Sequence, residues 1–289
     1  MSIKLAKKIG FCFGVKRAVA MAEEALKRKG RIYSLGSIIH NKEVVRALSK
    51  KGLEVVSDIG KIKRGTIVIS SHGLSPKIAK RISERGLGII DTTCPFVRKA
   101  QMIAKRLNED GYAIVVVGDV NHPEIRALVD FVPKNIFVIK NRGDIRKLVL
   151  KKADRVSVIS QTTQSTENFL DVVKALTAKK FKELKVFNTI CKDAEKRQSC
   201  AKSLASKADL MLIIGGRDSA NTRRLFEVCR SISGRSHLIQ TADELSDGWL
   251  ESAGVVGITS GASTPDWVIE KVVDKIRSLE RSYSKAFSG

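Results

Sequence analysis

Aromatic residues are scarce in this chain, at only 5% of its 289 residues. Proteins that bind single-stranded nucleic acid commonly stack bases on aromatic side chains, so this scarcity argues against such a platform. Long apolar runs are also missing: the densest one, Tyr112 to Val117, is far shorter than the roughly 20 residues of a membrane-spanning helix. The N-terminus lacks a long apolar core followed by a small-residue cleavage site. These absences predict a cytoplasmic protein with no membrane-spanning segment.

Acidic residues are in short supply, with 30 Asp and Glu against 53 Lys and Arg, which gives a formal net charge of +23. A positive field of this size attracts nucleic acid, anionic membranes, acidic proteins or phosphorylated small molecules. The basic residues are spread along the chain rather than gathered in one block, as on a well-solvated surface. Charge alone does not choose among these partners, and nucleic acid remains a minor alternative.

Cysteine is present at five positions but never as a CxxC pair, which argues against zinc ribbons and thioredoxin-like redox motifs. An odd number of cysteines in a chain without a secretory signal also makes a disulfide framework unexpected. Cys12, Cys94 and Cys191 lie at junctions between predicted elements, where thiolates could hold an iron–sulfur cluster. Their spacing leaves open that they are buried and inert. Cys200 and Cys229 occupy helical patterns, and we expect them to pack in the core.

Short apolar runs alternate with amphipathic stretches, the pattern of βα units built around parallel sheets. The fold class is therefore α/β, and ten predicted strands are too many for one small open sheet, which favours several compact lobes. One helix is predicted from the apolar face of Val15 to Leu26, and a last one from Ile269 to Leu279. The predicted strands are 32–33, 66–70, 88–90, 112–117, 136–139, 156–160, 184–187, 210–214, 237–239 and 255–258.

The loops that follow five of these strands are rich in histidine, hydroxyl, amide and glycine residues. Ligands of open α/β sheets bind beyond the carboxyl ends of the strands, and this set of donors suits an oxyanion. A phosphate or diphosphate ligand is therefore our hypothesis, although serine and threonine also serve as ordinary caps. The loops begin at Ser70, Gly118, Ser160, Gly215 and Thr259.

Three of the four histidines, His40, His72 and His122, lie in short polar segments, whereas His237 lies in an apolar run. Three histidines could ligate a transition metal, but the HxxxH spacing that places two on one helix face is absent. We therefore favour anion binding by these three histidines over zinc.

Nine short motifs in order along the chain resemble one family closely. They run from GFCFGVKRAV through IIHN, SHG, DTTCPFV, NHPE, SQTTQ, NTIC and SANTRRL to GITSGASTPDW. The family is 4-hydroxy-3-methylbut-2-enyl diphosphate reductase, also called LytB. The resemblance implies three small α/β lobes in a trefoil arrangement around a central [4Fe-4S] cluster. The lobes would span 14–94, 95–191 and 192–289, with segment 1–13 joining the third.

The resemblance also implies roles for individual residues. The cluster would be bound by Cys12, Cys94 and Cys191, Glu124 would relay a proton, and Thr162 would orient the substrate hydroxyl. This chain departs from the family pattern at two positions: Ala194 stands where threonine is usual, and Ala220 stands where a serine or glycine is often found. The diphosphate would be bound by His40, His72, His122, Ser219, Asn221 and Ser263.

The activity that the resemblance implies is reductive dehydroxylation of 4-hydroxy-3-methylbut-2-enyl diphosphate to isopentenyl and dimethylallyl diphosphate, the last step of the methylerythritol phosphate route. Because the chain has no GxGxxG fingerprint, we expect electrons from ferredoxin or flavodoxin rather than from bound NADPH. An iron–sulfur regulator without turnover and a basic nucleic-acid-binding homologue are the alternatives.

Overall fold

The computed structural model describes residues 1–132, 134–148, 150 and 154–286, with side chains of the last helix described as far as residue 281. Within these ranges twelve strands form three four-stranded sheets, and every strand pairing is parallel. The first sheet has the order β3-β2-β4-β5, the second β7-β6-β8-β9 and the third β1-β12-β10-β11. The strands are β1 Ser2–Leu5, β2 Ile32–Leu35, β3 Leu53–Val56, β4 Thr66–Ile69, β5 Gly88–Asp91, β6 Ala113–Val117, β7 Ile136–Ile139, β8 Arg155–Ser160, β9 Glu183–Val186, β10 Leu210–Ile214, β11 Ser236–Ile239 and β12 Val255–Ser260.

Helices connect the strands, as parallel pairing requires. Several begin at a proline, whose fixed φ suits the first helical turn. The helices are α1 Phe13–Lys29, α2 Lys42–Lys50, α3 Pro76–Glu84, α4 Pro95–Glu109, α5 Pro123–Phe131, α6 Thr166–Thr177, α7 Lys192–Ala205, α8 Ala220–Arg230 and α9 Asp266–Ala286. No helix among the described residues is long and apolar enough to cross a membrane.

The chain divides into two compact units. The terminal unit comprises Met1–Phe13, His40–Val44 and Lys192–Gly289 and contains the third sheet. The central unit comprises Gly14–Ile39 and Val45–Cys191 and contains the first and second sheets.

The third sheet is buried on both faces, which explains the continuous apolar run of β10. Leu210, Leu212 and Ile214 pack with residues of α9, while the intervening Met211 and Ile213 pack with residues of α7 and α8. Side chains of a strand alternate between faces, so one strand serves two layers of helices.

The central unit follows the same rule. In the second sheet, Ile114 and Val116 pack with residues of α4 and α5, and Val115 and Val117 pack with residues of α6. In the first sheet, Ile67 packs with residues of α3.

The predicted α/β class and the ten predicted strands are confirmed. The sequence missed β1 and β3, which both lie at sheet edges and have mixed exposure along their four residues. The lobe boundaries 14–94, 95–191 and 192–289 stay a prediction.

Candidate functional site

In the central unit, strands β6 and β8 are neighbours, and Val117 at the end of β6 is paired with Ser160 at the end of β8. Their carboxyl ends therefore lie at the same edge of the second sheet. The chain leaves β6 for α5, which carries Glu124 in its first turn, and leaves β8 for the loop that carries Thr162. Strand order thus brings together two residues that are 38 positions apart.

Glu124 and Thr162 make two hydrogen bonds. The Thr162 backbone N–H donates to Oε1 of Glu124 at 2.8 Å, and the Thr162 hydroxyl is 2.7 Å from Oε2. Only 2% of Glu124 is exposed. Burial raises the pKa of the Glu124 carboxyl, and the two bonds from Thr162 oppose that rise. A buried acid with a raised pKa is suited to donate a proton near neutral pH.

His122 fixes the start of α5. It occupies the N-cap, and its Nδ1 accepts a hydrogen bond from the Glu124 backbone N–H at 3.2 Å. The ring therefore caps the helix in the way that Ser or Asp does elsewhere. The His72 ring, in the loop after β4, meets the His122 ring edge to face with 5.4 Å between centroids. The structure thus brings together two of the three predicted anion-binding histidines within the central unit.

Two of the predicted cluster ligands also lie in the central unit. The Cys191 backbone N–H donates to the Thr162 carbonyl at 2.9 Å, so the residue that holds Glu124 also holds the Cys191 loop. The Cys94 backbone N–H donates to the Ser71 carbonyl at 3.0 Å, next to His72. Both cysteines are partly exposed.

The terminal unit places further predicted residues at the carboxyl ends of its own central strands. Ser219 caps α8 after β10, with its Oγ accepting from the Thr222 N–H at 3.3 Å. Ser263 lies after β12, and its hydroxyl donates to the His40 carbonyl at 3.0 Å. Burial lowers the pKa of the His40 imidazole.

Asn221, in the first turn of α8, is 5% exposed. Neither Nδ2 nor Oδ1 of its amide has a hydrogen-bond partner among the described residues. Leaving a buried polar group unpaired costs about 1 to 3 kcal/mol. An amide kept at that cost is suited to hydrogen bond with a ligand.

The three predicted cluster ligands share one structural position. Cys12 directly precedes α1, Cys94 directly precedes α4, and Cys191 directly precedes α7. The partial positive charge of a helix N-terminus favours thiolate over thiol, and thiolate is the form that binds iron. Their partial exposure and soft sulfur donors fit an iron–sulfur cluster.

The remaining two cysteines differ from these. Both lie within a helix rather than directly before one, Cys200 in α7 and Cys229 in α8. Cys200 is partly exposed, so the core position predicted for it is wrong, whereas Cys229 is fully buried. Burial raises the pKa of the Cys229 thiol to about 12, so this side chain stays a thiol and packs as an apolar group. The core position predicted for Cys229 is confirmed.

Gln101 and Arg197 are two of the buried polar side chains to which the sequence assigns no role. Gln101, on α4, is 2% exposed, and its Nε2 has no partner among the described residues. It packs so closely on Gly73 that a Cβ there would lie 2.6 Å from Nε2. Arg197, on α7, is fully buried. The signal for Gln101 was a polar residue on the apolar side of α4, whereas the charge-rich α7 gave no signal for Arg197.

Comparison with known proteins gives a consistent result. A family model described as LytB protein matches residues 3–277. The chain is 43% identical to 4-hydroxy-3-methylbut-2-enyl diphosphate reductase of Geobacter metallireducens and 45% identical to that of Geobacter sulfurreducens, in both cases over 97% of this chain and 98% of the relative.

Solved structures agree with these relatives. One is described as (E)-4-hydroxy-3-methyl-but-2-enyl diphosphate reductase, the terminal enzyme of the non-mevalonate pathway; it has a TM-score of 0.70 and 40% identity over 96% of this chain and all of that one. Another, the reductase from Plasmodium falciparum, has a TM-score of 0.89 and 29% identity over 94% of this chain and 86% of that one.

Proposed function

Because the chain belongs to the LytB protein family, we propose that it catalyses the reductive dehydroxylation of 4-hydroxy-3-methylbut-2-enyl diphosphate to isopentenyl and dimethylallyl diphosphate. The reaction consumes two electrons and two protons for each substrate, breaks the allylic carbon–oxygen bond, and releases water with one product molecule. The observation that carries the proposal within the structure is the buried Glu124 carboxyl held by Thr162. This pair supplies a proton donor where water is largely excluded.

The family is one of iron–sulfur enzymes, and we propose that a [4Fe-4S] cluster is bound by Cys12, Cys94 and Cys191. Support comes from the position that the three share at helix N-termini and from their partial exposure. When bound, the cluster supplies the electrons and a Lewis-acidic iron for departure of the hydroxyl. Reduced thiols and an oxygen-sensitive cluster fit the cytoplasm, which we propose as the location.

We propose that two groups of residues bind the diphosphate. The His72 imidazole and the Nε2 of His122 offer ring N–H donors, because the Nδ1 of His122 already accepts a hydrogen bond from the Glu124 N–H. The Asn221 amide offers two N–H donors that the fold itself does not use. The complete proposed set is His40, His72, His122, Ser219, Asn221 and Ser263.

The proton path follows from the Glu124 contacts. In its protonated form the carboxyl donates from one oxygen, while the Thr162 N–H holds the other in place. The Thr162 hydroxyl rotates, so it accepts from protonated Glu124 or donates to the carboxylate. This rotation lets Thr162 orient the departing hydroxyl of the substrate as the charge on Glu124 changes.

Electrons come from outside the chain in this proposal, from ferredoxin or flavodoxin. The support is the net charge of +23, because such a field attracts an acidic carrier protein. A small chemical reductant replaces that carrier in an assay.

The proposal is tested by mixing anaerobically purified protein with substrate and reduced viologen. Viologen oxidation that depends on substrate, with two electrons used for each substrate consumed, is the expected result. A protein that carries an iron–sulfur cluster but oxidises no viologen with substrate would act as a sensor instead. Affinity for nucleic acid that depends on length and falls steeply with salt, without turnover, would favour the basic-binding alternative.

A further inference from the structure

The buried Arg197 guanidinium lies inside the terminal unit, on the helix that begins directly after Cys191. Among the residues that the structure describes, Arg197 has the largest fully buried side chain, with no exposed surface. Arginine stays charged in proteins and is almost never fully buried without a partner. Its environment must therefore supply both a counter-charge and hydrogen-bond acceptors.

Asp193 supplies the counter-charge one helical turn before Arg197. Its Oδ2 accepts from Nε of Arg197 at 3.3 Å and from Nη2 at 3.2 Å. Its other oxygen, Oδ1, is 2.8 Å from Nζ of Lys8. One carboxylate thus joins α7 to the N-terminal segment that carries Cys12.

Arg197 is also linked to the N-terminal segment through Ser260. Its Nη1 donates to the Ser260 carbonyl at 3.2 Å, at the end of β12. The Ser260 hydroxyl oxygen accepts from the Gly10 N–H at 2.9 Å. Two residues further along, the Cys12 N–H donates to the Ala262 carbonyl at 3.0 Å.

Gly10 shows how tightly the segment is held. Its φ is +77°, and a Cβ at this position would lie 2.3 Å from Oδ1 of Asp266. At this φ a residue other than glycine is strained, so the backbone before Cys12 depends on Gly10 where it passes the end of β12 and the start of α9. Lys8 contacts Asp193 directly, and Gly10 is linked to Arg197 through Ser260.

We propose that Asp193 and Arg197 are positioning residues that fix the Cys12 loop, residues 8–12, in the conformation that ligates iron. The inference rests on the proposed role of Cys12 as a cluster ligand. Loss of the Asp193 carboxylate leaves the buried guanidinium without its counter-charge and removes the partner of Lys8. Arg197 then leaves the Ser260 carbonyl for solvent, and the loop frays.

The test compares Asp193→Asn with two other variants. Asp193→Glu keeps the negative charge, and Lys8→Met removes only the ion pair between Lys8 and Asp193. The matched control is Glu24→Gln, because Glu24 and Arg28 form the same i,i+4 ion pair at 2.5 Å, with both side chains exposed. Two quantities are measured on the full chain purified without oxygen: amide hydrogen exchange, and the rate of iron loss to a chelator.

We expect exchange of the Gly10 and Cys12 amides to accelerate at least about tenfold in Asp193→Asn, while amides of β10 keep their rates, because local opening is independent of global unfolding. Lys8→Met should accelerate the same two amides by a smaller factor. Iron loss should accelerate in parallel with this exchange. Asp193→Glu should keep the exchange rates and the rate of iron loss close to those of the wild type. Glu24→Gln should change neither rate.

The proposal is overturned if Gly10 and Cys12 exchange at the wild-type rate in Asp193→Asn. It is also overturned if all amides accelerate together, since the ion pair would then contribute only to global stability. A wild-type protein without iron would contradict the proposed function instead, and the exchange pattern would still decide whether Asp193 fixes the loop.

Discussion

Thr162 holds both oxygens of Glu124, one through its backbone N–H at 2.8 Å and the other through its hydroxyl at 2.7 Å. The same residue accepts a hydrogen bond from the Cys191 N–H through its carbonyl. A single residue after β8 therefore fixes the proposed proton donor and the loop of a proposed cluster ligand. This arrangement follows from the adjacency of β6 and β8 in the second sheet.

Glu124→Gln tests the proton-donor role. Glutamine keeps the size of the side chain, and its amide still pairs with the Thr162 N–H and hydroxyl, but it does not deliver a proton. General acids contribute about 10² to 10⁴ in rate, so we expect at least about a hundredfold loss of turnover with iron content and diphosphate affinity retained. Steady-state kinetics with reduced viologen and iron analysis measure these quantities. His72→Ala is the comparison variant and should mainly weaken substrate binding.

Normal turnover by Glu124→Gln with its cluster intact would assign the carboxyl a structural role at the start of α5. Charge at a helix N-terminus contributes about 0.3 to 1 kcal/mol near a surface. The effect of the substitution would then appear in thermal stability rather than in rate.

Thr162→Val tests how the pKa of Glu124 is set. The Thr162 hydroxyl bond lowers that pKa against the effect of burial, so its removal should raise the pKa further. A general acid works in its protonated form, and its rate falls as pH rises through the pKa. The decline of kcat should therefore move to higher pH in Thr162→Val and stay near the wild-type position in Thr162→Ser. A decline that moves to lower pH, or that does not move in either variant, contradicts this assignment.

Asn221→Leu tests whether the unpaired amide serves a ligand. Leucine has a similar size and no polar atoms, so it removes the cost of burying an unpaired amide, about 1 to 3 kcal/mol. We expect unchanged or higher thermal stability together with at least about tenfold weaker binding of substrate. Calorimetry and equilibrium binding of the diphosphate give the two values. Loss of stability with unchanged binding would show that Asn221 serves the fold.

Cysteine variants test the ligand set. On the proposed function, wild-type protein purified without oxygen holds about four irons and four sulfides per chain. Cys12→Ser, Cys94→Ser and Cys191→Ser should each lose most of this iron. Cys200→Ser and Cys229→Ser should keep it, with Cys229→Ser less stable because its thiol is fully buried. A colourless wild-type protein with stoichiometric zinc would contradict the cluster.

Sequence patterns predict most of this fold because its central strands carry the signal. β6 and β10 are buried along their whole length, and an apolar run between helical patterns identifies such strands. β1 and β3 gave no such signal, although the other edge strands β5, β7, β9 and β11 were predicted, so an edge position does not by itself hide a strand. β1 pairs with β12 and β3 pairs with β2, and these pairings form only when the strands assemble into a sheet.

Part of the candidate site was also predictable from the sequence. Polar loops at strand ends indicated the segments that carry Glu124, Thr162 and Asn221, since the carboxyl ends of parallel strands meet at one edge of a sheet, whereas the roles of these residues came from the family resemblance. The buried ion pair of Asp193 and Arg197 was not predictable, because α7 is rich in charge on most of its surface. Acid and arginine at i,i+4 usually form an exposed pair, and only the packing of α7 shows that this arginine is inside.

Product analysis in heavy water tests the central claim most directly. The proposed reaction sends one proton to the departing hydroxyl and one to a carbon of the product. Wild-type protein with substrate and reduced viologen in D₂O should therefore yield isopentenyl and dimethylallyl diphosphates that each carry one deuterium on carbon, as read by mass spectrometry and NMR. Cluster-loaded protein that leaves the substrate unchanged, or that releases free diphosphate without a reduced C5 product, would contradict the account.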